Sequence, residues 1–442
     1  MTYTSPGHIH TVEDFREFLQ RNASTLDCIE DVQAAGRLLA QDRVVAGRKA
    51  CNRFCAQPSK TSHANPDGSP SDQTRAIWET CGLSGAGLIW SGSEYAVEEN
   101  GKANPDQLFH DPERETKSSL RKLIKATQAG IASTGDDPGS RIIGLQLNHA
   151  GRFARPHGQT IESRIVHHHP QLAIKYGLSP DAPLLTDDEL KDIRDRFVDA
   201  ATNAQTAGFD FVSINCARGH LLHELLAART RNGCYGGSLE NRLRLLREII
   251  EGIQQNCSGF NIGINLSLTD RPPFQADPDT GEGKQMARGP GDWPYGFGVS
   301  ERDPDKADLF EPFSVLAMMQ VMRVRLVSVS VGAPDYCRHV YAPGSAPSEC
   351  GYHPSVHPLD GVRRHIEATR ACKQRYPDLN IVGNGYSWLQ QYLPNVAAME
   401  IEDHHVDFIG LGRILHAYPT MPRDLIQHGV IDGTWLKDLF KQ

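Results

Sequence analysis

Between Phe211 and Leu226 the chain reads FVSINCARGHLLHELL, a short β-branched apolar run followed by apolar residues at helical spacing. The turn between them gathers Asn215, Cys216, Arg218 and His220. Each side chain brings a distinct capability. An arginine offers five donors in a planar fork and gives up no proton, so Arg218 suits a carboxylate or phosphate better than a neutral carbonyl. It points to an anionic substrate. His220 titrates near neutrality and can serve as acid or base. Against this stands a structural reading of equal weight: Asn215 bonds neighbouring backbone, and Arg218 pairs with Glu224 or Glu94 inside the fold. Cys216 reads as a small buried hydrophobe rather than a nucleophile.

A second group of residues lies near the end of the chain. GNGY, with Asn384 and Gly385, follows one apolar run, and GLGR, with Gly412 and Arg413, follows the next. Glycines there let backbone amides approach an anion, and Arg413 adds a fixed cation. One such turn is weak evidence. Two on consecutive final strands match the place where barrel enzymes commonly bind phosphate. The run His167, His168, His169 invites a metal reading, but neighbours in an extended loop point in different directions and no carboxylate sits at helical spacing. A solvated loop and no metal site is the expectation. His149 in QLNHAGR reads as a residue that orders its loop.

These residues need a frame to bring them together. Eight apolar runs recur along the chain: RFCAQP, GLIWSG, IIGLQL, FVSIN, IGINLSL, LVSVSV, NIVGNG and VDFIGLG. Continuous apolarity marks strands covered on both faces, as in a parallel sheet packed by helices. Helical segments fill several gaps, among them DDELKDIRDRFVDAATNAQTAG, where Leu190, Ile193, Phe197 and Ala201 share a face and Gly208 ends the pattern. Repeated strand, loop and helix predict an α/β protein with a (β/α)8 TIM barrel, whose active site lies on the loops after the strands. An open doubly wound sheet is the competing architecture. Residues 1–50, with helical patterns in VEDFREFLQRN and IEDVQAAGRLLAQ, read as an N-terminal helical extension, and residues 51–442 as the barrel. Two long polar loops, from about Gly151 to Thr186 and from Thr269 to about Pro312, would lie over the catalytic face.

Composition narrows the class of function. The 442 residues are 39% hydrophobic and 23% charged, with no apolar run long enough to cross a membrane. A net charge of -8 without a basic cluster gives no footprint for nucleic acid. Ten cysteines scattered without CxxC pairs read as free thiols, and the first residues lack the pattern of a secretory signal, so the cytoplasm is the expected location. A small-molecule substrate is the better expectation, with homo-oligomerisation left open.

GLQLNHAGR, FVSINCARGHLLHELL, YGGSLENRLRLLREII and VDFIGLGR together resemble the old yellow enzyme family of FMN-dependent NAD(P)H:flavin oxidoreductases. NRFCAQP resembles the family's first strand and LIWSGSEYA its second, so the likeness runs from about Asn52 to about Pro422. It implies a barrel holding FMN at its strand ends, with NAD(P)H as electron donor. Carried over by position, Pro58 and Ser59 would lie beside the flavin, Gly92 behind it, and Gln146 on its pyrimidine edge. Asn384, Gly385, Gly412 and Arg413 would hold the phosphate.

The substrate side departs from the family. Asn215 and Arg218 stand where a donor pair of His-x-x-His or His-x-x-Asn is usual, and His220 where a proton-giving Tyr is common. Asn265 replaces the family's arginine on the fifth strand, and Lys60 occupies the position near flavin N5. The resemblance therefore implies an oxidoreductase that passes hydride through flavin N5 to or from a small, anionic organic substrate, in a rebuilt pocket. A flavin-binding barrel without redox activity, or a non-redox isomerase, is the alternative.

Overall fold

The computed structural model describes residues 3–45, 47–59, 62–114, 116–344 and 351–432. Eight parallel strands form its centre: β1 (Phe54–Ala56), β2 (Leu88–Ile89), β3 (Ile142–Asn148), β4 (Phe211–Cys216), β5 (Asn261–Ser267), β6 (Leu326–Ser330), β7 (Asn380–Gly383) and β8 (Phe408–Leu411). Each pairs with the next, and β8 returns to β1 through Ile409 opposite Phe54, so the sheet closes. Every strand matches one of the eight apolar runs. Closure excludes the open doubly wound sheet.

The same register sets the site. Asn215 on β4 lies opposite Asn265 on β5, which lies opposite Ser328 on β6. Polar side chains of three successive strands therefore meet at one level of the barrel.

Among the described residues, the helices that follow the strands are α1 (Asp72–Leu83), α2 (Lys117–Ser133), α3 (Asp187–Ala207), α4 (Leu239–Asn256), α5 (Phe310–Val321), α6 (Pro358–Arg375) and α7 (Leu393–Glu402), with a shorter one, Met421–His428, near the end. Local chemistry explains where they begin and end. Thr186 and Glu189 form a reciprocal capping box at the start of α3, and Gly208 closes it in the left-handed region with φ +106°. Leu190, Ile193, Phe197 and Ala201, the face predicted to be apolar, are all buried.

Two cores result. One lies between strands and helices. The other fills the barrel with Cys55, Leu88, Trp90, Ile142, Phe211, Leu326, Val382 and Phe408, and is completed by Val45 and Ala50 from an antiparallel hairpin, Arg43–Val45 with Arg48–Ala50. That hairpin stoppers the end of the barrel away from the strand C-termini. Trp90 and Phe211 meet edge to face at 5.4 Å between ring centroids. Their bulk raises the floor of the barrel, so only the upper end is left for a ligand. The N-terminal helices Val12–Asn22 and Val32–Leu39 pack on the outside, where Phe15 stacks on Tyr392 at 4.1 Å and Ile29 N–H donates to the Asn395 carbonyl at 3.0 Å.

The two long loops carry structure of their own and pack on one another. The first holds a helix, Pro170–Tyr176, and the second a hairpin, Phe274–Ala276 with Gly283–Gln285. Gln171 joins them, donating to the Met286 carbonyl at 3.1 Å and accepting from Trp293 Nε1 at 2.8 Å. This corrects the expectation of a solvated histidine loop. His167 and His169 are buried against Tyr295, and His169 also against Trp293, while His168 between them is exposed. Residues two apart in an extended segment share a side, and here that side faces the second loop.

Candidate active site

At the C-terminal end of the strands lies a cavity of about 400 Å³. Gln57, Pro58 and Ser59 reach it from the end of β1, Asn265 from β5, Ser330 from β6, Asn384 and Gly385 from the end of β7, and Gly412 and Arg413 from the end of β8. The β1 extension is tied on both sides: Gln57 N–H donates to the Leu411 carbonyl and Ser59 N–H to the Gly92 carbonyl, each at 2.9 Å. Asn384 Nδ2 donates to Ser328 Oγ at 2.9 Å and to the Val329 carbonyl at 2.8 Å, which fixes the end of β7 against β6. Its side chain therefore shapes the turn, leaving the turn's backbone to face the cavity.

The glycines of the two final turns serve different needs. Gly385 has φ +94°, and a Cβ there would come within 2.7 Å of His365, so both backbone and packing require glycine. A Cβ on Gly412 would meet no protein atom within 4 Å. Room kept clear beside a guanidinium fits a ligand that approaches the backbone. Arg413 donates through NH2 to the Pro343 carbonyl at 2.6 Å, which steadies the side chain at this end of the cavity.

The corner after β4 is built around a carboxylate. Arg218 occupies the left-handed region, φ +69°, followed by Gly219 at φ +76°. A non-glycine residue there costs about 1 kcal/mol or more. The compensation is an ion pair: Arg218 NH1 donates to Glu94 Oε1 at 2.7 Å, with both side chains buried. Although burial alone opposes its charge, the Glu94 carboxylate holds the Arg218 guanidinium above its ordinary range. Glu94 comes from a short strand, Glu94–Ala96, that runs beside β3 with Glu94 opposite Gln146. Gln146 Nε2 donates to the same Oε1 at 2.9 Å, while its own oxygen accepts from Trp90 Nε1 at 3.0 Å.

Asn215 and His220 close the other side of this network. Asn215 Oδ1 accepts from Ala217 N–H at 3.1 Å, and its Nδ2 points to Asn148 Oδ1 at 3.3 Å. His220 Nδ1 lies within hydrogen-bond reach of both the Asn148 oxygen and Asn215 Nδ2. Glu224, the other partner considered for Arg218, instead pairs with Arg152.

The residues singled out from sequence thus divide. Pro58, Ser59, Arg218, Asn265, Asn384, Gly385, Gly412 and Arg413 line the cavity. Gly92 lines a neighbouring space of about 470 Å³ that shares Gln57, Ser59, Gly412 and His416 with the first. Gln146, Asn215 and His220 sit behind the wall in the Glu94 network. Lys60 lies outside the described residues. Cys216 is fully buried, and burial pushes its thiol well above the ordinary range, so it is an inert core residue. His149 orders its loop as expected, bonding Glu98 at 3.1 Å and accepting from Gly151 N–H at 3.1 Å.

Several cavity residues escaped the sequence reading: Gln57, Ser330, Arg338, Tyr341 and His365. Gln57 and Ser330 sit at strand ends, the positions from which a barrel site is built, and would have emerged from that rule applied strand by strand. His365 comes from α6, with Nε2 donating to the Val340 and Tyr341 carbonyls at 3.2 and 3.1 Å. Burial pushes it down to about 4, so it is neutral.

A depressed histidine has a consequence for stability. Its unfolded form takes up a proton as pH falls through about 6.5, while the folded form resists until about 4. His365 stabilises the fold above pH 6.5, and that contribution is lost as pH falls towards 4. Burial also lowers His339 to about 4 and His167 to about 3, so they act in the same direction. Thermal unfolding followed from pH 7 to pH 4 is expected to show a steep loss of Tm across this window. His365→Gln, if it folds, flattens it by roughly 3 kcal/mol. An unchanged slope contradicts the assignment.

The cavity's donor set fits a flavin mononucleotide. Its lining combines two glycine-bearing turns and Arg413, suited to a phosphate, with the amide side chains of Gln57 and Asn265, suited to a pyrimidine edge. Ser330 Oγ, Arg218 Nε and Arg338 Nε are buried on the wall without partners, as expected where a polar ligand supplies them. The amide of Gln146 is engaged by Trp90 and Glu94 behind the wall; Gln57 and Asn265, which donate to Ser328 Oγ at 3.1 Å and Gln146 Oε1 at 3.4 Å, are amides on the cavity lining itself.

A sequence model described as the NADH:flavin oxidoreductase / NADH oxidase family matches residues 52–282. The chain is 38% identical to an NADPH dehydrogenase of Bacillus subtilis (strain 168) over 136 residues, covering 30% of this chain and 38% of that one. It is 30% identical to an NADH oxidase of Thermoanaerobacter brockii over 239 residues, covering 54% of this chain and 35% of that one. The matched stretches therefore span less than half of either relative. A solved old yellow enzyme homologue from Zymomonas mobilis superposes with a TM-score of 0.59 at 19% identity, covering 90% of this chain and 96% of that one. The shared fold is the (β/α)8 barrel.

Proposed function

Because the chain belongs to the NADH:flavin oxidoreductase / NADH oxidase family, we propose that it is an FMN-dependent oxidoreductase of the old yellow enzyme type, moving hydride between NAD(P)H and a small organic substrate. The observation that carries the reading is the cavity at the strand ends, lined by the glycine turns and Arg413 together with the amides of Gln57 and Asn265. When bound there, FMN supplies hydride acceptance and donation at N5; the protein supplies position, charge and protons.

The chain's own contributions follow from the geometry. Arg413 and the turns at Gly385 and Gly412 hold the phosphate, and Gln57 and Asn265 orient the ring by its polar edge. The Glu94–Arg218 pair braces the wall beneath the substrate and presents Arg218 Nε to the cavity as a donor. A guanidinium gives up no proton, so proton donation falls to lining hydroxyls such as those of Tyr341 and Ser330. His220, bonded to Asn148 behind the wall, sets the shape of the Arg218 turn. Positioning and electrostatic stabilisation are the residues' part in the rate.

The test is direct. Purified protein incubated with FMN and passed through a desalting column is expected to retain flavin, and heat is expected to release FMN from it. Protein that emerges colourless after reconstitution refutes the reading.

A further inference from the structure

Three guanidiniums line the cavity, and their partners differ. Arg218 is answered by Glu94, and Arg413 NH2 by the Pro343 carbonyl. Arg338 lines the same wall, yet among the described residues it makes no ion pair and no side-chain hydrogen bond, and its Nε is buried without an acceptor. It belongs to a four-residue helix, Arg338–Tyr341, on the segment after β6. One turn further along, the Tyr341 ring lies 5.8 Å from Arg218 Cζ and lines the cavity too. This segment therefore reaches the Arg218 side through Tyr341 and the β8 turn through Pro343, whose carbonyl accepts from Arg413.

The sequence reading assigned recognition of an anion to Arg218. Glu94 occupies NH1 of that residue and balances its charge, whereas Arg338 has no carboxylate partner among the described residues. We propose that Arg338 is the anion-recognition residue of the cavity and that the substrate carries a carboxylate, which the guanidinium binds while Tyr341 closes over it. A fork-shaped guanidinium matches a carboxylate through two parallel hydrogen bonds, and a partly buried setting strengthens them. The inference rests on the oxidoreductase reading above, because it places a substrate over bound flavin.

The experiment uses the full chain loaded with FMN and two activated alkenes that differ in charge, monomethyl fumarate and dimethyl fumarate. Binding is read from the shift of the flavin's visible band, and FMN affinity is measured separately on the same proteins. The wild type is expected to bind the monoanion about tenfold or more tighter than the diester. Arg338→Met is expected to abolish that preference with diester and FMN affinities within about threefold of wild type, and Arg338→Lys to restore part of it. A wild type without preference for the monoanion overturns the proposal, as does a preference that survives Arg338→Met. Selective loss of FMN affinity in the Met variant also overturns it, and assigns Arg338 to the flavin phosphate instead. A wild type that binds no FMN overturns the oxidoreductase reading itself, and the inference with it.

Discussion

Replacing Arg413 with alanine is expected to weaken FMN binding by about two orders of magnitude. The guanidinium stands at the cavity end where Gly385 and Gly412 bring backbone close, and a phosphate there receives charge-assisted hydrogen bonds worth roughly 1.5–3 kcal/mol each. Loss of about 3 kcal/mol corresponds to roughly a hundredfold in Kd. Arg413→Lys keeps the charge and loses the fork, so it should fall between. Quenching of flavin fluorescence on titration into apoprotein gives the affinities, and circular dichroism confirms that each variant is folded. Affinity within about threefold of wild type in a folded Arg413→Ala protein contradicts the placement of the phosphate.

Glu94→Ala should be the most damaging single change to stability near the site. Arg218 is 8% exposed and its charge is held by Glu94, so removing the carboxylate leaves a buried cation unpaired, at a cost of about 3–5 kcal/mol. Gln146 loses its acceptor in the same step. The double variant Glu94→Leu with Arg218→Met removes both charges, and apolar replacement of a buried pair is often close to neutral. It should therefore recover most of the lost stability. Denaturation midpoints of the four proteins close the cycle. Single variants that each cost less than about 1 kcal/mol contradict a buried ion pair that braces the wall.

How far the sequence revealed this arrangement depended on the range of the information needed. All eight strands were legible, because covering on both faces leaves an uninterrupted apolar run. The capping box of α3 and its stop at Gly208 were legible because both are local. The glycine turn after β7 could be read because a positive φ at Gly385 demands glycine within the motif itself. The partner of Arg218 was not legible in the same sense. Glu94 was one of two candidates, and only the register that sets it opposite Gln146 decides between them.

The same reason explains the histidine loop. His167 and His169 look solvated until Trp293 and Tyr295, from the other long loop, are brought over them. Arg338 was missed because the segment after β6 lacks the glycine signature that marks the segments after β7 and β8. Gln146 was assigned to the flavin by resemblance; its bonds to Trp90 and Glu94 follow from the register that brings an indole and a carboxylate of the second strand region to it.

FMN held in this barrel is expected to exchange electrons with a nicotinamide. The most direct measurement is anaerobic mixing of the FMN-loaded protein with NADPH or NADH while the flavin's visible band is followed. The account predicts full bleaching by at least one of the two, and return of the colour when an electron acceptor is added. A tightly bound flavin that neither nicotinamide bleaches would contradict it.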